Sequence, residues 1–355
     1  MNKYILAIES SCDDSCVCVM DLEYNIKYEK NISQIDLHNE YGGVVPELAS
    51  RSHLQYLQII LKDLAKTIDI KDIVAVSPTF APGLIGGLLT AVGISKGICQ
   101  MHGKKFIPIH HLQGHLESIN IGKNDHTPYP NLTLLVSGGH CQFIYAKTFG
   151  EYEIIGKTID DSVGEAFDKC GKTIGLRYPA GPEIEKHAIN GENIDEIGRP
   201  MTEKTMNFSF SGFKTNVLNF VNKNREKLND PIFFKNICHT IQSRLSENLG
   251  YKTRLAIDFV NKKYGKFDNF ILCGGVSANQ TIIKNMQNIC QDYDIKLNHP
   301  PLKYSMDNAA MIAVAGVKNF KLGNYSNLDI APQNRFNIQD LVSFYQTSIN
   351  QKSTK

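Results

Sequence analysis

Short apolar runs and helical patterns alternate along the first third of the chain. Residues 4–8 and 16–20 are apolar and flank a polar, turn-prone run, which predicts a β-hairpin. Further on, apolar residues recur at spacings of three and four, which predicts an amphipathic helix with one stripe against a sheet. That stripe comprises Leu54, Leu57, Leu61, Leu64 and Ile68. The other elements predicted here are strands at 26–29, 73–76 and 105–109 and helices at 84–100 and 111–119.

The same order of elements is predicted a second time in the rest of the chain. It comprises strands at 132–136, 142–146 and 152–157, a helix from Glu165, helical insertions at 183–262, a strand at 269–273, a helix from Ala278, a strand at 295–297 and a final helix from Asp307. Two copies of one topology predict a duplicated α/β fold with a cleft between two lobes. The predicted divisions are a first lobe at 1–120 with helix 307–320 packed nearby, a second lobe at 121–306, and a polar tail at 343–355.

Composition narrows the class of protein. The chain has 355 residues, of which 42% are hydrophobic and 21% charged, and this excludes a disordered chain because enough apolar surface exists to offset the ordering entropy. The nine cysteines are odd in number and form no CxxC pair, which is typical of reduced thiols in a cytosolic protein. The longest apolar region, 80–94, is too short to cross a bilayer, and the first residues leave no room for a leader. We therefore expect a cytoplasmic protein with no membrane contact.

Two histidines stand out as candidate metal ligands. His111 and His115 are four residues apart, so on a helix both imidazoles share one face and can reach a single ion. The structural alternative is a pair of surface or capping histidines. A third ligand has to come from elsewhere, and Asp307, at the predicted N-cap of the last helix, is available. Leu112 stands where the zinc-peptidase motif HExxH requires its glutamate, so a metalloprotease is disfavoured.

Glycine-rich turns recur at the predicted strand ends. They lie at 42–43, 82–84, 86–87, 137–139, 180–182 and 274–275. Each alone is an ordinary turn, but glycine lets a backbone approach a ligand closely, so some of them are expected to line a nucleotide site. Asp160, Asp161 and Asp168 flank a predicted helix start, where they can hold ribose hydroxyls or simply complement the helix dipole.

Several longer segments resemble one known family. They are Ile8-Glu9-Ser10-Ser11-Cys12-Asp13-Asp14, the run from Tyr41 to Arg51, Pro82-Gly83-Leu84, His111 with His115, Leu135-Val136-Ser137-Gly138-Gly139-His140, the run from Gly164 to Lys169, the run from Phe208 to Thr215, the run from Cys273 to Asn279, and Asp307-Asn308. In this order they are similar to the tRNA N6-adenosine threonylcarbamoyltransferase family, over about residues 4 to 315. The resemblance implies the two-lobed α/β fold of actin, Hsp70-type ATPases and sugar kinases, built from a duplicated ribonuclease-H-like lobe.

The resemblance also implies an activity and a set of site residues. The activity is transfer of a threonylcarbamoyl group from threonylcarbamoyl-AMP to N6 of the adenosine 3′ of the anticodon, in tRNAs that read codons beginning with A. The metal ligands fall on His111, His115 and Asp307, with one divalent transition metal, Fe²⁺ before Zn²⁺. The ligand-binding positions fall on Leu135, Val136, Ser137, Gly138, Gly139, Asp168, Gly181 and Asn279. Glu9 and Asp13 are the candidates for a general base.

Partners follow from the same resemblance. Bacterial members of the family work with a paralogous subunit of the same fold and a small ATPase, and the motif style here favours that set. With 38 basic and 36 acidic residues the net charge is only +2, so tRNA contact is expected to be local, around Lys214 or the lysines at 262, 263 and 266, or shared with partners.

The chain departs from the family pattern at four positions, and the sequence does not decide what they change. Ala81, Ala180 and Ala309 stand where the family has glycine, which puts turn geometry in question because alanine tolerates positive φ poorly, and Ser10 replaces threonine.

Two rival functions also stay open on the sequence. One is a kinase or ATPase of the same fold, which would leave the paired histidines without a role. The other is a non-catalytic nucleotide- or tRNA-binding subunit, which would be expected to lose metal ligands.

Overall fold

The chain divides into two compact units. The computed structural model describes residues 3–41 and 43–350. Unit 1 comprises Met1–Thr127 together with Met306–Lys355, and unit 2 comprises Pro128–Ser305. Gly42, from one of the predicted glycine turns, and residues 351–355 of the predicted tail lie outside the described residues.

Unit 1 is built on a mixed sheet of six strands. They are β1 (Tyr4–Glu9), β2 (Asp14–Asp21), β3 (Ile26–Ser33), β4 (Ile73–Ala81), β5 (Lys105–Phe106) and β6 (Ile109–His110). The order is β3-β2-β1-β4-β5, with β6 also paired to β4. The first three strands form an antiparallel meander, whereas β1, β4, β5 and β6 run parallel. The carboxyl ends of β1, β4 and β6 therefore meet at one edge of the sheet.

Unit 2 repeats that topology. Its strands are β7 (Asn131–Val136), β8 (Cys141–Thr148), β9 (Glu151–Lys157), β10 (Asn269–Cys273) and β11 (Lys296–Asn298). The order β9-β8-β7-β10-β11 matches β3-β2-β1-β4-β5 strand for strand, with an antiparallel meander followed by parallel pairs. The duplicated topology predicted from the sequence is thus confirmed.

Helices cover both sheets. In chain order they are α1 (Ile35–Asn39), α2 (Pro46–Leu64), α3 (Ile85–His102), α4 (His111–Glu117), α5 (Val163–Thr173), α6 (Ala180–His187), α7 (Ser211–Lys223), α8 (Pro231–Tyr264), α9 (Gln280–Asp292), α10 (Ala309–Leu322) and α11 (Leu341–Asn350). None of those in the described part of the chain is both long enough and apolar enough to span a membrane. Helices α6, α7 and α8 form the insertion expected in the second copy.

The buried face of α2 differs from the predicted stripe. Leu57 and Leu64 are buried as expected, but Leu54 is 60% exposed, and Ile68 follows the end of the helix. The buried face instead includes His53, which is fully enclosed and hydrogen-bonded on both ring nitrogens, to Ser15 and to the carbonyl of Cys12. A hydrophobicity pattern cannot identify a polar core residue, so the predicted stripe is correct at Leu57 and Leu64 but includes Leu54 in place of His53.

The predicted polar tail is largely a helix. Residues 341–350 form α11, which packs on unit 1. The ring of Phe344 stacks on Phe80 with centroids 4.9 Å apart, and the hydroxyl of Tyr345 donates to the carbonyl of Pro108. Two aromatic side chains with partners in the core thus outweigh the polar composition of the segment.

The phase of α2 gives a stability prediction. Leu57→Ala should lower the free energy of unfolding by about 2–5 kcal/mol, because it opens a cavity in the core of unit 1. Leu54→Ala, the matched control three positions earlier, should change it by less than about 0.5 kcal/mol. Urea titration followed by circular dichroism measures both, and equal losses for the two variants would show that the stripe is misassigned.

Candidate functional site

Three metal-ligating side chains meet in unit 1. The Nε2 atoms of His111 and His115 are 3.1 Å apart, and Oδ1 of Asp307 lies 3.5 Å from the first and 3.1 Å from the second. Within the described residues this is the group of three or more His, Cys, Asp or Glu side chains whose ligand atoms lie close enough to share an ion. Both imidazoles are buried, whereas the Asp307 side chain is about one-fifth exposed.

Local sequence explains how these side chains meet. β6 ends at His110, whose ring accepts the amide of Leu112 and so starts α4 with His111 at its first position. Gly114 faces α10, where a Cβ on it would lie 2.7 Å from Ile312 Cδ1, so a glycine here lets the two helices pack closely without displacing that side chain. That approach brings the residue just before α10 to the histidines. The helix is capped by Asn308, whose side chain accepts from Met311, so the predicted N-cap role of Asp307 was wrong by one residue.

The charges around the three side chains favour a cation. Burial alone would lower the pKa of His111, but the carboxylates of Asp307 and Glu9 raise it to about 9. Burial, reinforced by Asp307, raises the pKa of Asp14 to about 7, and its Oδ1 is buried without a hydrogen-bond partner. Glu9 and Asp307 contact the histidines, and the carboxylates of Asp13 and Asp14 lie close enough to Asp307 to repel it. An added positive charge would relieve their mutual repulsion.

The donor set fits a metal ion. Ligands bound about 2.1 Å from one ion are separated by about 3.0–3.4 Å at tetrahedral or octahedral angles, close to the three distances observed. Two imidazoles and one carboxylate are a common set for Fe²⁺ and Zn²⁺, and they leave coordination positions open. His111 and His115 turn the same kind of nitrogen toward one point, as shared coordination requires. The three residues are thus suited to hold a metal.

The two candidate bases lie in different surroundings. Glu9 is fully buried, and its carboxylate accepts from the amide of Ser11, the hydroxyl of Thr79 and Nδ1 of His111. Asp13 is half-buried, and burial raises its pKa while a hydrogen bond with Cys12 opposes that shift. Only Asp13 therefore keeps a carboxylate that solvent can reach.

In unit 2 the predicted phosphate turn follows β7. The amide of Ser137 donates to the carbonyl of His140, which closes the turn, while Gly138 and Gly139 are exposed with open space beside their Cα atoms. Ser162 caps α5 and its hydroxyl also donates to the carbonyl of Gly138 at 2.5 Å. Leu135 and Val136 are completely buried in β7, so of the predicted segment 135–139 only its last three residues are accessible.

Asp168, Gly181 and Asn279 also lie in unit 2. Oδ1 of Asp168 accepts from the amide of Ala180 at 2.7 Å, and burial raises the pKa of this carboxyl although the amides of Ala180 and Gly181 oppose that shift. Asn279 caps α9 through Oδ1, and its Nδ2 donates to Gln242 at 2.8 Å. Asp168 thus braces the turn that begins α6, and Gln242 fixes the amide orientation of Asn279.

The other two aspartates predicted to hold ribose hydroxyls form hydrogen bonds and ion pairs within the protein. Asp160 accepts from the hydroxyls of Ser209 and Ser211 and from the amide of Phe210. Asp161 forms ion pairs with Lys169 and Lys214. Both carboxylates therefore fasten the start of α7 beside α5, which leaves them less suited to a ligand.

The three alanines that replace family glycines cause no backbone strain. Ala81 lies within β4, and Ala180 and Ala309 are the first residues of α6 and α10. The non-glycine residues at positive φ, within the ranges the structure describes, are Tyr24, Asn190 and Asp294. The concern about turn geometry raised by these alanines therefore does not apply.

Sequence reasoning missed the residues that support the site. Thr79 and Gln242 are buried polar side chains that touch predicted site residues 70 and 37 positions away along the chain. Each stands alone in an apolar or helical run and matches no motif. Only the fold brings them to the site, so the sequence carried no signal for them.

Comparison with known proteins covers almost the whole chain. A family model described as tRNA N6-adenosine threonylcarbamoyltransferase matches residues 25–314. A curated relative of that description from Rickettsia rickettsii (strain Sheila Smith) is 39% identical over 343 residues, which are 95% of this chain and 98% of the relative. Another, from Staphylococcus aureus (strain bovine RF122 / ET3-1), is 37% identical over 339 residues, 95% of this chain and 97% of the relative.

Solved structures are similar in fold alone. HypF from T. kodakarensis aligns with a TM-score of 0.60 and 11% identity, over 92% of this chain and 49% of its own. Component A of the (R)-2-hydroxyglutaryl-CoA dehydratase of Acidaminococcus fermentans aligns with a TM-score of 0.52 and 12% identity, over 90% and 99%. These likenesses confirm the predicted α/β fold class of actin, Hsp70-type ATPases and sugar kinases.

The contact between α5 and the Ser-Gly-Gly turn gives a second prediction. A Cβ on Gly164 would lie 2.6 Å from the carbonyl oxygen of Ser137, so Gly164→Ala should lower the free energy of unfolding by about 1–3 kcal/mol. Gly97→Ala is the matched control, since Gly97 is an exposed glycine inside α3 with nothing near it, and it should stabilise by about 0.5–1 kcal/mol. Urea unfolding measures both, and a Gly164→Ala protein as stable as its parent would contradict the close packing.

Proposed function

The chain belongs to the tRNA N6-adenosine threonylcarbamoyltransferase family, and we propose that His111, His115 and Asp307 hold the metal ion of that reaction. The observation that carries this proposal is the convergence of their three ligand atoms within 3.5 Å of one another. The family assigns the chemistry, and the geometry supports these residues as the centre.

The reaction is an acyl transfer to tRNA. The threonylcarbamoyl group moves from threonylcarbamoyl-AMP to N6 of the adenosine 3′ of the anticodon, in tRNAs that read codons beginning with A. N6 attacks the carbamoyl carbon, the bond from that carbon to the phosphate oxygen breaks, AMP leaves, and N6 loses a proton. Because the donor is already a mixed anhydride, the protein has mainly to position the reactants and stabilise charge.

His111, His115 and Asp307 would hold the metal that provides the electrostatic part of this task. When bound there, a divalent transition metal would supply Lewis-acid stabilisation of an anionic or carbonyl oxygen of the donor. We favour Fe²⁺ over Zn²⁺ because two histidines and one carboxylate are the usual ligands of non-haem iron. Asp307 reaches solvent while the imidazoles do not, which supports a centre open on the carboxylate side.

Unit 2 supplies the groups proposed for the AMP part of the donor. Of the predicted segment at Ser137, Gly138 and Gly139, the amides of the two glycines suit a phosphate, because exposed glycines let an anion approach the backbone, whereas the amide of Ser137 donates to His140. Asp168 and Gly181 share one hydrogen-bonded turn, and Asn279 retains a free lone pair and a free N–H for a ribose or base edge. For the N6 proton we propose Asp13, the accessible carboxylate of the first turn.

We further propose that the chain acts in the cytoplasm within a complex that includes a same-fold subunit and a small ATPase. The bacterial origin of its relatives supports that set. In unit 1, α2 and α3 pack against each other and leave Leu54, Ile59, Ile85 and Leu89 exposed. A groove of about 510 Å³ beside them is lined by Leu54, Gln58, Leu61, Lys62, Ala65 and Ile94. An apolar surface of this kind is typical of a protein contact.

The metal assignment predicts the effect of removing either histidine. Purified protein, given its helper proteins with L-threonine, ATP and bicarbonate, should form threonylcarbamoyladenosine in tRNA, as measured by mass spectrometry of digested nucleosides. His111→Ala and His115→Ala should each lose bound metal and at least about 99% of that activity. His102→Ala, an exposed histidine at the end of α3, is the control and should retain both. Parental activity in both site variants would refute the metal-centred mechanism.

The partner proposal predicts a binding defect without loss of fold. Leu54→Asp and Leu89→Asp should each weaken binding of the same-fold subunit by roughly tenfold or more, because a carboxylate would be buried at the contact. Leu218→Asp, at an exposed leucine on α7 in unit 2, should leave binding unchanged. Isothermal titration calorimetry of purified subunits measures all three, and unaltered affinity in both α2–α3 variants would exclude this surface.

A further inference from the structure

We propose that Glu9 and Thr79 are positioning residues that orient His111 for metal binding, and that Glu9 does not act as a base on the substrate. The inference rests on the proposed function, because it concerns the metal that His111 would hold. It adds two residues and a division of roles that the ligand set alone does not contain.

The Glu9 carboxylate is fully engaged inside the protein. Its Oε1 accepts the amide of Ser11 at 2.6 Å, and its Oε2 accepts the hydroxyl of Thr79 at 2.5 Å and faces Nδ1 of His111 at 3.1 Å. A carboxylate with no exposed surface cannot reach adenine N6, yet it can act on His111.

The contact from Glu9 selects the form of His111 that binds metal. A carboxylate accepts only, so Nδ1 of His111, which faces Glu9 and also lies 3.1 Å from the hydroxyl of Ser11, carries a proton. Nε2 is therefore the nitrogen that can offer its lone pair to a metal. That lone pair belongs to the atom that faces His115 Nε2 and Asp307 Oδ1. A carboxylate behind a ligating imidazole also raises its basicity and fixes the plane of the ring.

Thr79, on a neighbouring strand, supports His111 through Glu9. It lies near the end of β4, fully buried, and pairs in register with Ile109 of β6, two residues before His111. Its hydroxyl hydrogen has one acceptor, Oε2 of Glu9, at the end of β1. Three parallel strand ends thus hold one hydrogen-bonded path from Thr79 through Glu9 to His111.

The second histidine lacks this support. Nδ1 of His115 is buried and has no hydrogen-bond partner. The orientation of the two histidines therefore depends on the hydrogen bonds made by His111. Weakening the path from Thr79 should lower metal affinity even though all three ligands remain.

The test compares metal binding in variants that keep the ligands. Metal is removed from the purified full chain with a chelator, Co²⁺ is titrated back, and its visible d–d absorption gives both the dissociation constant and the ligand environment. Glu9→Gln should weaken Co²⁺ binding by about 10–100-fold, and Thr79→Val by about tenfold. Thr79→Ser, which keeps the hydroxyl, should restore the parental affinity.

Controls separate orientation from general destabilisation. Thr133→Val removes a buried hydroxyl that has no partner, in β7 of unit 2, and should leave Co²⁺ affinity unchanged. Unfolding by urea checks that each variant is folded at the assay temperature. If the folded Glu9→Gln and Thr79→Val proteins bind Co²⁺ as tightly as the parent, this inference is overturned while the metal centre stands. If the parent itself binds no Co²⁺, both proposals are overturned.

Discussion

The constraint on which unit 1 depends is a close group of three side-chain atoms. Two buried imidazole nitrogens lie 3.1 Å apart, and a carboxylate oxygen lies at the same distance from one of them. Such an arrangement is unfavourable if both nitrogens keep lone pairs without a proton or an ion between them, since each would be desolvated and unpaired. Much of the surrounding structure holds it in place. Gly114 lets α4 meet α10, Asn308 caps α10 so that Asp307 lies just before the helix, and Glu9 contacts the outer nitrogen of His111. The local excess of carboxylates makes a cation the natural way to satisfy this group.

The duplication assigns different chemistry to equivalent places. In both units a three-strand meander passes through a small-residue turn, and parallel strands end at the same edge. In unit 1 the strand that begins the meander ends at Glu9, which turns inward to a histidine. In unit 2 the equivalent strand ends at Val136 and is followed by the Ser-Gly-Gly turn, whose two glycines are exposed. One topology thus yields a side-chain centre suited to a cation in unit 1 and a backbone turn suited to an anion in unit 2.

The sequence predicted what depends on local spacing and missed what depends on contacts across the fold. His111 and His115 could be paired from four-residue spacing alone, whereas Asp307, almost 200 residues away, was only an available carboxylate until the family resemblance pointed to it. Thr79 could not be found, since a single threonine in a strand has no distinguishing pattern. The error in the stripe on α2 has the same origin. A pattern of apolar positions omits His53 because its side chain is polar, whereas two hydrogen bonds allow it to be buried in the core. Element order followed from periodicity, and side-chain partners did not.

Ion pairs in unit 2 show which of the lysines expected near tRNA are already paired with acidic side chains. Of the lysines expected near tRNA, Lys214 is paired with Asp161 and Lys263 with Glu153, while Lys262 and Lys266 are exposed. A lysine already paired releases no counterion on meeting a phosphate unless its first pair breaks, so it adds little to tRNA affinity. Lys214 instead fixes the start of α7 beside α5. Two of the four lysines expected near tRNA are thus already paired, which is consistent with a chain proposed to bind tRNA within a complex.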